Sequence, residues 1–194
     1  RNFLKEQAMS KQQAIKSIEA GMAVFEEEYE RIPIDIVGMG DMGIANTTPS
    51  SAILATITGR DPQEVTGRGT GIDERIWQKK VKIIRKALGI HHPDPEDPID
   101  ILAKIGGYEI GGIAGCILAA AVHRVPVVID GFISTAGALI AKQLCPQVVE
   151  YLFASHLSAE RGHTLALNHL GLSPLLDLNL RLGEGTGAAL AIFI

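Results

Sequence analysis

The sequence predicts an α/β fold: a mainly parallel sheet flanked by helices, with a site at the C-terminal ends of its strands. Three observations predict it. Short apolar runs alternate with segments of helical length, the order that arises when each strand is followed by a crossover helix. Two of the expected strands empty into glycine-rich loops, Val37–Thr48 and Leu182–Leu190, each carrying one carboxylate and then a helix start. Asp41, Asp130, Ser155 to Ser158 and Glu184 each follow an expected strand. Ligands of open parallel sheets bind beyond the strands' carboxyl ends, so these groups converge on one edge of a Rossmann-like arrangement.

Taken in order, Ser10 with Gln13 three residues on is a capping-box signature, and Ala14, Ile15, Ile18, Met22, Phe25 and Tyr29 keep helical spacing. Residues 11–29 therefore read as an amphipathic helix. Pro33 ends it and introduces the strand Ile34–Val37, which runs into the first glycine loop. Pro49–Thr58 reads as a short helix, which Asn46, Thr47 or Thr48 can cap. A second glycine loop, Thr66–Gly71, precedes Asp73, a cap for the helix at 74–88. On that helix Trp77, Val81, Ile84 and Leu88 share a face, extended by Ile76, Ile83 and Ala87, with Lys79, Lys82, Arg85 and Lys86 opposite. Lys80 falls inside the apolar arc and must either snorkel outward or meet a buried anion.

The segment His91–Pro98 reads as a proline-rich, solvated connector, since its paired histidines match no metal-ligand spacing. Ile99–Ile105 is a short helix closed by Gly106-Gly107. Gly111–Val122 is a tightly packed helix that includes Cys116. Val125–Ile129 is a buried strand ending at Asp130-Gly131, followed by a helix to about Leu144. Tyr151–Ser155 is a further strand, after which Ser158 caps a helix closed by Gly171. His156, His163 and His169 do not converge on one helix face and read as structural or surface residues. Leu178–Leu182 is the last expected strand, delivering Glu184.

The 194 residues suit one domain, 1–194, and with 46% hydrophobic but only 5% aromatic residues its core should be aliphatic. A net charge of −4 gives no electrostatic reason to expect nucleic acid. No apolar run reaches the length of a membrane span. Cys116 and Cys145, far apart and unpatterned, together with the lack of a signal-peptide pattern, point to a reducing, cytoplasmic setting. The chain begins at Arg1 and stops at Ile194 within a stretch that reads as helix, so it is expected to be a fragment.

Chemically, three glycines in six residues around Asp41 leave backbone N–H groups open to an anion, with a carboxylate in the cradle. The same design recurs around Glu184. Gly40-Asp41-Met42-Gly43-Ile44-Ala45-Asn46-Thr47-Thr48, Gly67-Arg68-Gly69-Thr70-Gly71, Val127 to Gly131 and Arg181-Leu182-Gly183-Glu184-Gly185-Thr186-Gly187-Ala188-Ala189 together resemble the nicotinate-nucleotide:dimethylbenzimidazole phosphoribosyltransferases of cobalamin biosynthesis. The match runs in order through nearly the whole chain, which looks like the large domain of the family without an N-terminal portion and a C-terminal tail.

The resemblance implies that a benzimidazole nitrogen attacks C1′ of nicotinate mononucleotide and nicotinate leaves. By similarity Glu184 is the general base, and Asp41, standing where the family typically has glutamate, is a supporting carboxylate. Gly43, Asn46, Gly69, Gly71, Lys80 and Ser158 would bind the mononucleotide, chiefly its phosphate, and Leu182 and Gly183 would line the base pocket. Asp130 would be either a ribose contact or a structural cap. Ala45 replaces a usual glycine. The resemblance implies no cofactor and no metal, small-molecule substrates only, and a homodimer.

Overall fold

A computed structural model describes residues 2–68 and 71–194. Helices α1 (Lys11–Arg31), α2 (Thr47–Thr58), α3 (Pro62–Val65), α4 (Glu74–His91), α5 (Pro98–Ile105), α6 (Tyr108–Val122), α7 (Phe132–Leu144), α8 (His163–Leu170) and α9 (Thr186–Ile192) accompany four strands. The strands β1 (Val37–Met39), β2 (Val127–Ile129), β3 (Leu152–His156) and β4 (Pro174–Leu176) form one parallel sheet in the order β1-β2-β3-β4. The expected α/β class therefore holds.

Alternation along the strands divides the sheet into two faces. Met39, Val127, Ile129, Leu152 and Ala154 face the main core, which also buries Ile53, Leu54, Ile84, Ile101, Ile117 and Leu139. Each such Ile or Leu contributes about 1.5–3 kcal/mol by leaving water. On the other face Val128 packs with Ala188 and Ala191 of α9 and with the partly buried Leu176, and Phe153 remains 47% exposed. The aliphatic character expected of the core is observed.

The capping box of α1 is present, Ser10 and Gln13 each accepting from the other's backbone N–H. Asp61, Asp73 and Asp97 cap α3, α4 and α5, their carboxylates accepting backbone N–H groups of the first turn. The small residues of α6 serve a close approach to α1. A Cβ at Gly115 would lie 1.9 Å from the Ile18 carbonyl oxygen, and one at Gly21 1.9 Å from that of Gly112. Cys116 donates from Sγ to the Gly21 carbonyl (3.1 Å) within this seam.

Three expectations need correction. The first strand begins at Val37 rather than Ile34: its partner β2 is preceded by Pro126, which has no N–H with which to extend the ladder. No strand forms at Leu178–Leu182. The period-two pattern is there, but the last strand pairing is His156 with Leu176. Beyond it the segment meets the chain after β3 through the Ala159 N–H, which donates to the Leu180 carbonyl (3.2 Å), without forming a ladder. Leu178 and Leu182 are 56% and 65% exposed. Ser158 does not cap a helix either. Its hydroxyl accepts from Glu160 N–H in a turn, and α8 starts five residues later, after Gly162.

Candidate active site

The two glycine loops meet beyond the ends of β1, β2 and β3. Gly40, just past β1, lies so close to the second loop that a Cβ there would be 2.2 Å from the Gly185 nitrogen. The N–H of Glu184 donates to the Asp41 carbonyl (2.8 Å), which stitches the loops together. In the second loop Gly183, Glu184 and Gly185 have φ of 78°, 59° and 76°, three left-handed residues in succession. For Glu184 that conformation costs about 1 kcal/mol, and it turns an exposed carboxylate onto a fixed piece of backbone.

Asp130, at the end of β2 and only 2% exposed, holds the second loop from below. Its carboxylate accepts from the N–H groups of Gly185 (3.2 Å), Gly187 (2.7 Å) and Ala188 (3.2 Å). It thus supplies, from a distant strand, the cap that α9 lacks locally. Both Asp130 oxygens accept from backbone donors, which is the geometry of a cap. His156, at the end of β3, packs beside it with Nδ1 3.7 Å from Oδ1.

Over these groups opens a cavity of about 320 Å³. Asp41 and Gly43 line it from the first loop, and Leu182, Gly183 and Glu184 from the second. Asp130, His156 and Ser158 form its back. Asp41 is half-buried, and burial pushes its carboxyl up to about 6, against a hydrogen bond from Asn46 and with help from Glu109 and Asp130. A carboxyl held near neutrality inside a cleft is suited to exchanging a proton with a ligand.

Asn46 departs from expectation. Its side chain does not cap α2; Nδ2 is turned back to donate to the Asp41 carboxylate and to the Met42 carbonyl (3.0 Å). Lys80 lies in a neighbouring cavity of about 420 Å³, which shares Gly43, Ile44 and Thr47 with the first. Its ammonium donates to the Thr47 hydroxyl (2.9 Å), so the side chain turns inward to a neutral oxygen rather than snorkelling to solvent. Burial lowers its pKa and the carboxylate of Glu160 opposes that shift. Lys79, expected in solvent, and Arg68 join it, giving this cavity three cations. Gly71, at φ 107°, lies next to the cavity-lining Ile72 without lining the cavity itself, and Gly69 lies outside the described residues.

The residue reading assigns Glu160 and Arg181 no role in the site and takes His156 as structural or surface, yet all three line the first cavity. His156 is the last residue of β3, a strand exit like that before Asp130, whereas Glu160 lies in the turn beyond it. His156 and His163 are structural in the sense expected, being buried, but His156 also faces the site. Among the described residues, no group of three or more His, Cys, Asp or Glu side chains could hold a metal ion. Nor is any helix long and apolar enough to cross a membrane.

Comparison with known proteins places this geometry in company. A family model described as "Phosphoribosyltransferase" matches residues 1–194. A nicotinate-nucleotide–dimethylbenzimidazole phosphoribosyltransferase of Desulforudis audaxviator is 58% identical over 95% of the chain and 52% of its own length. One from a Geobacter species (strain M21) is 55% identical over 99% of the chain and 55% of its own length. The crystal structure of CobT from Thermus thermophilus superposes with a TM-score of 0.94 at 41% identity, over 99% of the chain and 57% of that structure. The chain thus spans about half the length of the curated relatives it matches.

Proposed function

The chain belongs to the nicotinate-nucleotide–dimethylbenzimidazole phosphoribosyltransferase family, and from that premise we propose that it transfers the phosphoribosyl group of nicotinate mononucleotide to 5,6-dimethylbenzimidazole. The products are α-ribazole 5′-phosphate and nicotinate, a step in making the lower ligand of cobalamin. One observation carries the proposal. Two loops, joined by the bond from Glu184 N–H to the Asp41 carbonyl (2.8 Å), bring both carboxylates to one cavity beyond a parallel sheet.

In the proposed reaction a benzimidazole nitrogen attacks C1′ from the face opposite nicotinate. The C1′–nicotinate bond breaks, its electron pair leaves with the pyridine ring, and the configuration inverts. Attack makes the base cationic, so its remaining ring N–H turns acidic. Glu184, exposed at the cavity and aimed by its left-handed backbone, accepts that proton and stabilises the cation as it grows. Asp41 supports it from the opposite loop, with Leu182 and Gly183 against the aromatic base. Gly43, Asn46, the 67–71 loop, Lys80 and Ser158 are assigned to the mononucleotide and its phosphate. The cations Arg68, Lys79 and Lys80 beside Gly43 support that assignment. The same reading makes residues 1–194 the large α/β domain of a cytoplasmic homodimer.

A second reading follows from the chain spanning about half its relatives' length. It would bind the mononucleotide without completing transfer. A chromatographic assay separates the two. With both substrates present, nicotinate and the ribazole phosphate should appear together, and Glu184→Gln should lower their rate at least a hundredfold. Undiminished turnover in that variant would remove Glu184 as the base. Thermal stabilisation by the mononucleotide without product would favour the second reading.

A further inference from the structure

Behind the carboxylates lies a buried polar layer whose hydrogen bonds fix the protonation of two histidines. The Ser155 hydroxyl donates to the Asp130 carbonyl (2.9 Å). With its one proton spent there, it can only accept from the other group within reach, His156 Nδ1, at 3.0 Å. Nδ1 of His156 therefore carries the hydrogen, and the Asp130 carboxylate 3.7 Å away favours the same placement. His163 is fixed the opposite way. Its Nδ1 accepts from the Ser158 N–H (2.8 Å), so its proton lies on Nε2, toward the Thr135 hydroxyl (2.9 Å), which itself donates to the Gly131 carbonyl (2.8 Å).

The two rings differ in what remains. Both nitrogens of His163 are used, and the residue is wholly enclosed; burial drives its pKa down to about 3. His156 has Nε2 left over: among the described residues it makes no hydrogen bond. That nitrogen is on the side of Gly131 and Ser158, both of which line the 320 Å³ cavity, as His156 itself does. Burial also lowers the pKa of His156, so at neutral pH the nitrogen is a bare acceptor. On its other flank His156 packs against Gly187, where a Cβ would be 2.0 Å from Nδ1, directly beneath the loop that carries Glu184. His156 thus sits between Ser158, on the phosphate side, and the loop of the proposed base.

Resting on the phosphoribosyl reading, we infer that His156 binds the sugar: its Nε2 accepts a hydrogen bond from a ribosyl hydroxyl of the mononucleotide. The sugar must bridge the phosphate and the reacting carbon, and this is the acceptor placed between them. The neighbouring carboxylate of Asp130 is already committed to three backbone donors.

The test is calorimetric binding of nicotinate mononucleotide and its 2′-deoxy and 3′-deoxy forms to the wild-type chain and to His156→Asn. Asparagine can keep a donor near the Nδ1 position while removing the acceptor at Nε2. The wild type should bind one deoxy form about five- to tenfold more weakly, as for the loss of one hydrogen bond, and the variant should bind all three ligands equally at that weaker level. Equal discrimination by wild type and variant would overturn the role of His156 while leaving the phosphoribosyl reading intact. No mononucleotide binding by the wild type would overturn both. Should His156→Asn fail to fold, nitrogen-15 NMR of the wild type decides: a His156 Nε2 resonance that does not move on adding the mononucleotide overturns the inference.

Discussion

The loops around Asp41 and Glu184 have nearly the same composition, and the protein uses them in opposite ways. Gly40–Ala45 leaves a paired strand, and its carboxylate turns inward, where burial raises its pKa to about 6 against the hydrogen bond from Asn46. Gly183–Gly185 follows irregular chain. Its carboxylate stays exposed, placed by three left-handed residues and by an aspartate from another strand. Solvent exclusion tunes the first carboxylate; backbone geometry aims the second. Glycine plus one acid is therefore a design for position, and the surroundings decide what that position is worth.

The largest test attacks the contact that lets the second loop dock. Gly187→Ala would place a methyl 2.0 Å from His156 Nδ1 and 2.8 Å from Asp130 Oδ1. Urea denaturation should show a loss of about 3 kcal/mol, as overpacking and a broken cap combine. A loss under about 0.5 kcal/mol, the ordinary range of a neutral surface change, would mean that α9 and its loop are free to shift.

The next test separates the two carboxylates by pH. Asp41 has a folded pKa of about 6 against an ordinary 3.8. The unfolded chain ionises first, so stability falls as pH rises from 3.8 through 6 and is level above that. Asp41→Asn lacks this loss. Between about pH 4 and 7 the variant should gain about 1–3 kcal/mol on the wild type in parallel denaturant titrations. Parallel curves would show that Asp41 is solvated like an ordinary acid.

The smallest effects test backbone strain alone. Ala45 and Glu184 have φ of 68° and 59°. Ala45→Gly and Glu184→Gly should each stabilise the fold by about 0.5–1 kcal/mol, read from denaturation midpoints. The former should leave turnover intact and the latter should abolish it. A Glu184→Gly chain less stable than wild type would show that the side chain holds the loop and not the reverse.

How much of this the sequence carried can be traced residue by residue. The convergence of Asp41 and Asp130 was legible because strand exits in a parallel sheet share one edge. Glu184, by contrast, was placed beside them by a strand at 178–182 that does not form, and its loop reaches the site through the bond to the Asp41 carbonyl. The misplacement of Lys80 was legible from helical projection, though not its partner Thr47, 33 positions away. Which backbone Asp130 would cap was not legible, because its donors lie 55 to 58 residues on and local capping rules see only a few positions. His156 reads as structural or surface, since β3 is expected to end at Ser155, one residue short of where it ends. The false strand at 178–182 shows the limit of periodicity: a pattern of two needs a neighbour to pair with.

The glycine seam between α1 and α6 has a mechanical consequence. With carbonyls filling the places where Cβ atoms would stand, the two helices can mesh in one register only, because sliding by a single residue drives a side chain into a backbone oxygen. They act as one beam. One of them leads into β1 and the other into β2, so the beam clamps both strands at their entry ends. Any yielding that a ligand requires is thereby confined to the opposite ends of those strands, where the two loops lie.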